Sequence, residues 1–177
     1  MAEEHFKVLI SSKEIEEKVK ELARQVSEDY RGKKPLLICV LKGAVIFLAD
    51  FMRHLEIPVE IDFMAVSSYG DSTKTSGVVR ILKDLDMGIE NKDIIIVEDI
   101  IDTGLTLSYL RENLMSRNPQ SVKLVTLLDK PERREVDIEP DYCGFCIPDK
   151  FVVGYGLDFN DAYRNLPDVC VLLEFDQ

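Results

Sequence analysis

Residues 94–107 carry the clearest chemical signal in this sequence. An apolar run leads directly into two adjacent acids, Glu98 and Asp99, and a third acid, Asp102, follows three residues after the second. Neighbouring carboxylates accept hydrogen bonds from a vicinal diol such as that of ribose, and they also hold Mg²⁺ directly or through water. The acids therefore predict a site for a sugar, a divalent cation or both.

The turn that follows these acids is suited to phosphate. Thr103, Gly104 and Thr106 fall where a helix begins, so backbone N–H groups lack helical partners and the glycine lets an anion approach closely. A helix terminus contributes only about 0.3–1 kcal/mol to an exposed anion, so hydroxyls and several N–H donors must add to it. Carboxylates beside a phosphate cradle suggest a sugar phosphate. The alternative is a solvated acidic turn in which Asp102 caps the helix.

The elements that position these residues follow from the apolar pattern. Short apolar runs alternate with helical patterns, which predicts an α/β domain with a mainly parallel central sheet flanked by helices. The ligand crevice of such a sheet lies at the carboxyl ends of its strands, where the acids fall. Strands are predicted at residues 36–41, 59–66, 78–82, 93–97, 122–128, 151–153 and 169–173, and helices at 15–30, 44–55 and 105–115. Ser12 is the predicted N-cap of the first helix, and a polar loop is predicted over residues 67–77.

Composition limits the class of protein. The chain has 177 residues and no linker, repeat or low-complexity tract, which favours one domain over residues 1–177. Its net charge of −11 disfavours a nucleic-acid partner. No apolar run approaches the roughly 20 residues of a membrane span, and the N-terminal residues lack an export-signal pattern. Four unevenly spaced cysteines do not form a disulfide framework, so we expect a cytoplasmic protein with reduced thiols.

The sequence VEDIIDTGLT at residues 97–106 resembles the diphosphoribosyl-binding motif of type I phosphoribosyltransferases. Further segments at residues 41–43, 68–70, 128–130 and 149–158 resemble the hypoxanthine or hypoxanthine-guanine members, and the likeness spans residues 8–174. The resemblance implies the type I fold with a small hood of extra strands and a flexible lid loop. It also implies a homo-oligomer, dimer or tetramer, that joins a purine base to 5-phosphoribosyl-1-diphosphate (PRPP) with Mg²⁺.

The resemblance assigns roles to the residues around the sugar phosphate. It places Glu98 and Asp99 at the ribose hydroxyls and the metal. It places Thr103, Gly104, Leu105 and Thr106 around the 5-phosphate. Asp102, which also belongs to the PRPP site, becomes the general acid or base beside N7 of the purine. This role suits a reaction in which the purine must lose a proton while diphosphate leaves.

The resemblance also assigns the diphosphate contacts. Leu41, Lys42 and Gly43 form the diphosphate loop, with a cis peptide bond between the first two. Ser68 and Tyr69 belong to the lid that closes over the diphosphate and excludes water. Arg164 contacts the diphosphate, a role that suits the forked guanidinium group.

The purine contacts come from the later part of the chain. The resemblance implies that Lys130 donates to the 6-oxo group, which favours hypoxanthine or guanine over adenine. Phe151 stacks on the base and the Val152 backbone reads the base edge near position 2. Asp158 lies near the purine, the metal and the diphosphate.

Three alternatives remain open from the sequence. Xanthine is also a 6-oxopurine, so Lys130 alone does not exclude it. A regulator with the same fold that senses nucleotides and binds nucleic acid is disfavoured by the acidic charge. The pair Cys143 and Cys146 has C-x-x-C spacing, but no helix start follows it and further zinc ligands are not evident, so we expect buried or edge-strand thiols.

Overall fold

The alternating apolar runs and helical patterns form one central sheet, three helices and a small second sheet. The computed structural model describes residues 5–69 and 78–173, with side chains for 5–67 and 79–173. In chain order the elements are β1 (Phe6–Ile10), α1 (Ser12–Asp29), β2 (Leu36–Leu41), α2 (Val45–His54), β3 (Glu60–Tyr69), β4 (Val78–Lys83), β5 (Asp93–Ile101), α3 (Leu105–Met115), β6 (Ser121–Asp129), β7 (Tyr142–Cys146), β8 (Val152–Val153) and β9 (Val169–Leu172). A short 3-10 helix at Pro131–Arg133 follows β6.

The central sheet has six strands in the order β4-β3-β2-β5-β6-β7. Every neighbouring pair is parallel except β3 with β4, so the predicted mainly parallel sheet is confirmed. Because β2 and β5 are parallel neighbours in the middle of this sheet, their carboxyl ends meet at the same edge. The residues after both strands are the ones for which the sequence predicts ligand contacts.

Helices cover both faces of the sheet, which explains why β2 and residues 94–97 of β5 are entirely apolar. Successive strand residues point to opposite faces. Leu37 and Ile95 pack in one buried cluster with α1 and α2, whereas Ile38 and Ile96 pack in a second cluster with α3. The buried strands therefore hold their carboxyl ends at fixed positions between two apolar layers.

The first helix begins one residue earlier than the sequence analysis proposed. Ser11, rather than Ser12, is the N-cap. The Glu14 N–H donates to Ser11 Oγ at 3.2 Å, and the Ser11 N–H donates to Glu14 Oε2 at 2.8 Å. This capping box requires an acid three residues after the cap, and Glu14 has that spacing only from Ser11.

Two strands extend further than predicted. β5 continues through both acids to Ile101, because its parallel pairing with β6 continues to the pair Ile101–Asp129. β3 continues to Tyr69, because its last three residues pair with β4 in an antiparallel ladder. The start of the predicted polar loop, residues 67–69, is therefore strand. The rest of that loop, residues 70–77, which includes most of the predicted lid, lies outside the described residues.

The predicted hood of extra strands is confirmed as a separate three-stranded sheet in the order β1-β9-β8. β8 and β9 match predicted strands, whereas β1 and β7 were not predicted. Within the described residues, no helix has both the length and the apolar character needed to cross a membrane.

Candidate active site

The phosphate cradle lies where β5 ends and α3 begins. Gly104 precedes the helix with a left-handed φ of 84°, and α3 has no side-chain hydrogen bond at this N-cap. The Leu105 N–H donates to Thr103 Oγ1 at 3.4 Å. A cavity of about 210 Å³ opens here, lined by Glu98, Ile100, Ile101, Asp102, Thr103, Gly104, Thr106 and Leu107. Asp102 does not cap the helix, because the N-cap is Gly104 and the Asp102 carboxylate accepts from Arg133 instead.

Gly104 is required by two features of this turn. Its φ is one that side-chain-bearing residues rarely adopt. A Cβ atom at this position would also lie 2.6 Å from Ile138 Cγ2 and 3.0 Å from Arg134 Cδ. The turn therefore packs closely against the segment after β6 on one side and leaves its other side open to the cavity.

The acid pair lies at the same strand end, where Glu98 is only 8% exposed and Asp99 is half-buried. Burial raises the pKa of Glu98 well above its usual value, and the adjacent Asp99 charge raises that pKa further. Burial also raises the pKa of Asp99, while a hydrogen bond from the Glu98 side chain lowers it. A cation or hydroxyl donors at this strand end would stabilise the charged form of the pair.

The carboxylates of Glu98 and Asp99 fit Mg²⁺, which proteins commonly hold through one or two carboxylates while substrate oxygens and water complete the coordination shell. Asp158 does not join the pair in one direct ligand set: across the described side chains, no group of metal ligands within 4.8 Å of one another contains Glu98, Asp99 and Asp158. The third predicted metal ligand therefore lies apart from the acid pair, in the loop described next.

The diphosphate loop and the loop after β8 meet at Asp99. A Cβ atom at Gly43 would overlap the Asp99 carboxylate, and one at Gly156 would overlap the Gly43 carbonyl oxygen. Gly156 has a φ of 97°, so its conformation also favours glycine. Two separate segments of backbone and one carboxylate therefore approach within direct contact. The peptide bond between Leu41 and Lys42 is cis, as the resemblance implies.

Arg164 connects this group of loops. Its Nη1 donates to the Gly156 carbonyl at 2.7 Å, and its Nη2 lies 3.2 Å from Asp158 Oδ1. The guanidinium charge opposes the effect of burial on the pKa of Asp99. Lys42 Nζ lies 3.3 Å from Asp161 Oδ1 at the surface. Two cations, Lys42 and Arg164, therefore lie beside the contact between Gly43 and Gly156, and each is paired with a carboxylate.

The base side of the site contains a chain of charges that links Lys130 to Asp102. Lys130 is 7% exposed, and its Nζ lies 3.9 Å from Asp149 Oδ1. Arg133 Nη1 lies 3.7 Å from Asp149 Oδ2, and Arg133 Nε donates to Asp102 Oδ1 at 2.7 Å. Phe151 is 40% exposed, and its ring lies edge-to-face with the Phe159 ring at a centroid distance of 5.7 Å.

Comparison with known proteins identifies the family. The family model described as phosphoribosyl transferase domain matches residues 9–160. The chain is 55% identical to the hypoxanthine-guanine phosphoribosyltransferase of Streptococcus thermophilus over 95% of this chain and 93% of the relative. It is 57% identical to that of Bacillus subtilis over 94% and 92%. The chain belongs to the hypoxanthine-guanine phosphoribosyltransferase family.

A solved structure of the same family has the same fold. The hypoxanthine-guanine phosphoribosyltransferase of Bacillus anthracis is 50% identical, with a TM-score of 0.91 over 94% of this chain and 98% of that chain. The predicted family and the predicted type I phosphoribosyltransferase fold are therefore confirmed. The roles of individual residues stay predictions.

Most of the residues predicted from the hypoxanthine-guanine phosphoribosyltransferase resemblance lie at the carboxyl edge of the sheet. The sugar-phosphate group surrounds the junction of β5 and α3, and Gly43 contacts Asp99. Val152 lies in β8, where it pairs with Val171 of the hood. The side chains of Ser68 and Tyr69 lie outside the described residues.

Three residues of this hypoxanthine-guanine phosphoribosyltransferase site were not predicted. Arg133 pairs with the Asp102 carboxylate, and Asp149 links it to Lys130. Arg134 donates to the Asp102 carbonyl at 2.8 Å and to Asp129 Oδ1 at 2.6 Å. The only sequence signal was their position, with the two arginines three and four residues after Lys130 and Asp149 at the start of the 149–158 segment. That position does not reveal which carboxylate each arginine faces.

The buried acid pair predicts a pH dependence of stability without metal. A raised pKa in the folded state means that the folded chain keeps a proton which the unfolded chain releases above about pH 4.5. In EDTA, the free energy of unfolding should therefore fall as the pH rises from that value toward the raised pKa of Glu98. Glu98→Gln should remove most of this slope. Urea unfolding at a series of pH values measures it.

The control for this prediction is Glu17→Gln, because Glu17 is exposed on α1. It should leave the slope of the wild-type protein intact. A wild-type stability that rises over the same pH interval, or a slope that Glu98→Gln does not change, is incompatible with a protonated acid pair.

Proposed function

We propose that this chain transfers the 5-phosphoribosyl group of PRPP to N9 of hypoxanthine and of guanine, giving IMP or GMP and diphosphate. The observation that carries the proposal is the junction of β5 and α3. There the buried Glu98 and the half-buried Asp99 adjoin a helix start that has no side-chain hydrogen bond at its N-cap and opens on a cavity. This junction can hold both the hydroxyls and the phosphate of a ribose 5-phosphate.

The residues around the junction bind and orient the donor. Backbone N–H groups at residues 103–106 bind the 5-phosphate, and Glu98 and Asp99 accept hydrogen bonds from the ribose hydroxyls. Lys42 and Arg164 attract the diphosphate and hold it beside Gly43, which has no side chain to block access to its backbone. When bound through the acid pair, Mg²⁺ supplies positive charge that stabilises the departing diphosphate. Positive charge that develops on the sugar meets the adjacent carboxylates.

Asp102 handles the proton of the purine. Its carboxylate lies next to the cradle, is 45% exposed and pairs with Arg133. A purine at the cavity mouth presents N7 to this carboxylate. Asp102 then stabilises or removes the N7 proton while N9 attacks the sugar carbon that the diphosphate leaves.

Base selection rests on Lys130. Its buried ammonium group has three donors and no acceptor, so it bonds to a 6-oxo group and not to a 6-amino group. Phe151, which is 40% exposed, supplies its ring for stacking, and the Val152 backbone lies beside it. Xanthine satisfies Lys130 equally, so discrimination at position 2 depends on backbone groups near residue 152.

We further propose that residues 1–177 fold as one domain and that the enzyme works in the cytoplasm as a homo-oligomer, dimer or tetramer, with no nucleic-acid or membrane partner. The acidic net charge of −11 supports the exclusion of nucleic acid. Light scattering of the purified protein measures the oligomer, and a monomer would contradict this part of the proposal.

The test of the proposed function is nucleotide formation from PRPP with hypoxanthine, guanine, xanthine or adenine. We expect IMP and GMP in the presence of Mg²⁺ and no AMP, because Lys130 rejects a 6-amino group. EDTA should abolish the reaction, and added Mg²⁺ should restore it. Absence of Mg²⁺-dependent nucleotide from all 6-oxopurines, or full activity in EDTA, would overturn the proposal. If xanthine were the preferred base, the assignment of hypoxanthine and guanine as substrates would be overturned, but the transferase reaction would stand.

A further inference from the structure

A second group of metal-binding side chains lies at the edge of the central sheet, away from the acid pair. Asp129 ends β6, and Cys143 and Cys146 lie on the adjacent edge strand β7. The parallel register pairs Asp129 directly with Cys146. One ligand atom from each of the three side chains lies within 4.8 Å of the other two.

The two cysteines of this group are free thiols on one edge strand. That strand is held close to β6, because a Cβ at Gly144 would overlap the Leu127 carbonyl oxygen. The two thiols and the Asp129 carboxylate therefore converge without a disulfide between the cysteines.

A metal ion can bridge thiols at this separation. Zinc–sulfur bonds are about 2.3 Å long in a tetrahedral site, which places two bound sulfurs about 3.8 Å apart. Small rotations of the side chains of Cys143 and Cys146 bring sulfurs that are already within 4.8 Å to that spacing. Two sulfurs with one carboxylate oxygen form a ligand set that suits Zn²⁺ better than Mg²⁺.

The carboxylate of this group is fixed before any ion binds. Asp129 is 3% exposed, and Arg134 Nη2 donates to its Oδ1 at 2.6 Å. A carboxylate has a second oxygen, so Asp129 can hold the arginine and a cation together. On α1, Lys18 is a second cation near this group of ligands. Its Nζ lies 5.6 Å from the centroid of the Phe145 ring and 2.9 Å from Glu21 Oε2.

The group is accessible from solvent. Cys146 is exposed, Cys143 is half-buried and Asp129 lies beneath them. An ion can therefore enter from the side of Cys146. Three protein ligands leave the fourth tetrahedral position to a water molecule on that side.

We propose that Asp129, Cys143 and Cys146 bind one Zn²⁺ ion at the edge of the sheet. The ion joins the edge strand β7 to the end of β6. Asp129 immediately precedes Lys130, and Arg134 joins Asp129 to the Asp102 carbonyl. The ion therefore stabilises the segment that carries the base-binding lysine, and it takes no part in the transfer itself.

Cobalt(II) replaces zinc in such sites and reports its sulfur ligands by thiolate-to-metal charge-transfer absorption. Reduced full-length protein is titrated with Co²⁺ in excess Mg²⁺, which occupies the acid pair. We expect one Co²⁺ per chain with a charge-transfer band, displacement of that band by Zn²⁺, and a higher Tm with Zn²⁺. Cys143→Ser and Cys146→Ser should each reduce the band to roughly half, and the double variant should lose it.

Cys170→Ser is the matched control, because Cys170 lies in the hood sheet and outside the group. It should keep the full band. Asp129→Asn should weaken Zn²⁺ binding by at least about 10-fold while the charge-transfer band survives at higher Co²⁺. A wild-type protein without the band, or a band that persists in the double cysteine variant, would overturn the proposal. The wild-type titration decides this even where a variant fails to fold.

Discussion

Asp102→Asn is expected to lower kcat by about 10²–10⁴-fold while KM for PRPP changes little. The range is the usual contribution of a positioned general acid or base. Asparagine keeps the size of the side chain and can still accept a hydrogen bond from Arg133, but it cannot take a proton from the purine. Because the lost interaction belongs to the transition state, kcat and kcat/KM should fall together. Steady-state kinetics with hypoxanthine as the base measure both.

Arg133→Gln is the control that separates chemistry from the ion pair. It removes the guanidinium group that lies 2.7 Å from Asp102 Oδ1 and leaves the carboxylate in place. The pair is 45% exposed on both sides, so its loss should have little effect on stability. We expect kcat to change far less than in Asp102→Asn. Equal losses in the two variants, or a loss confined to KM, would refute an acid–base role for Asp102.

Arg134→Ala is expected to lower the free energy of unfolding by about 3–5 kcal/mol. Removing one partner of a buried ion pair leaves the other charge uncompensated, and that cost lies in this range. The Arg134 and Asp129 side chains are only 10% and 5% exposed. The same guanidinium group also donates to the Ile138 and Asp102 carbonyls. Urea unfolding at neutral pH measures the change.

The matched control is Arg117→Ala. Arg117 pairs with Asp84 at 2.9 Å, but the two side chains are 30% and 51% exposed. An exposed pair contributes about 0–1 kcal/mol, so this variant should unfold almost like the wild type. If both arginine variants lose the same small free energy, Arg134 does not compensate a buried charge.

The parts of the fold that follow from local apolar pattern were predictable. Residues 36–41 form a strand with the predicted bounds, because five of its six residues are fully buried between two helical layers. β1 was missed because its middle residues are exposed and only its pairing with the distant β9 makes it a strand. β7 was missed because Gly144 interrupts its pattern and its pairing to β6 is non-local.

The residues of the candidate site were also predictable only in part. Glu98, Asp99 and the cradle after them are contiguous in sequence, so the strand, the turn and the helix start could be predicted together. Arg133 and Arg134 became part of the site only because the chain returns past the end of β5 after β6. That return cannot be derived from residue spacing. For the same reason, the sequence could not indicate that Asp129 lies beside two cysteines.

The central claim is that PRPP binds across the junction of β5 and α3, and a crystal structure with PRPP and Mg²⁺ but no base tests it most directly. We expect the 5-phosphate against the backbone N–H groups of residues 103–106 and the ribose hydroxyls on Glu98 and Asp99. The diphosphate should lie beside Gly43 and Arg164. A structure in which PRPP binds elsewhere and leaves this junction without ligand would contradict the account.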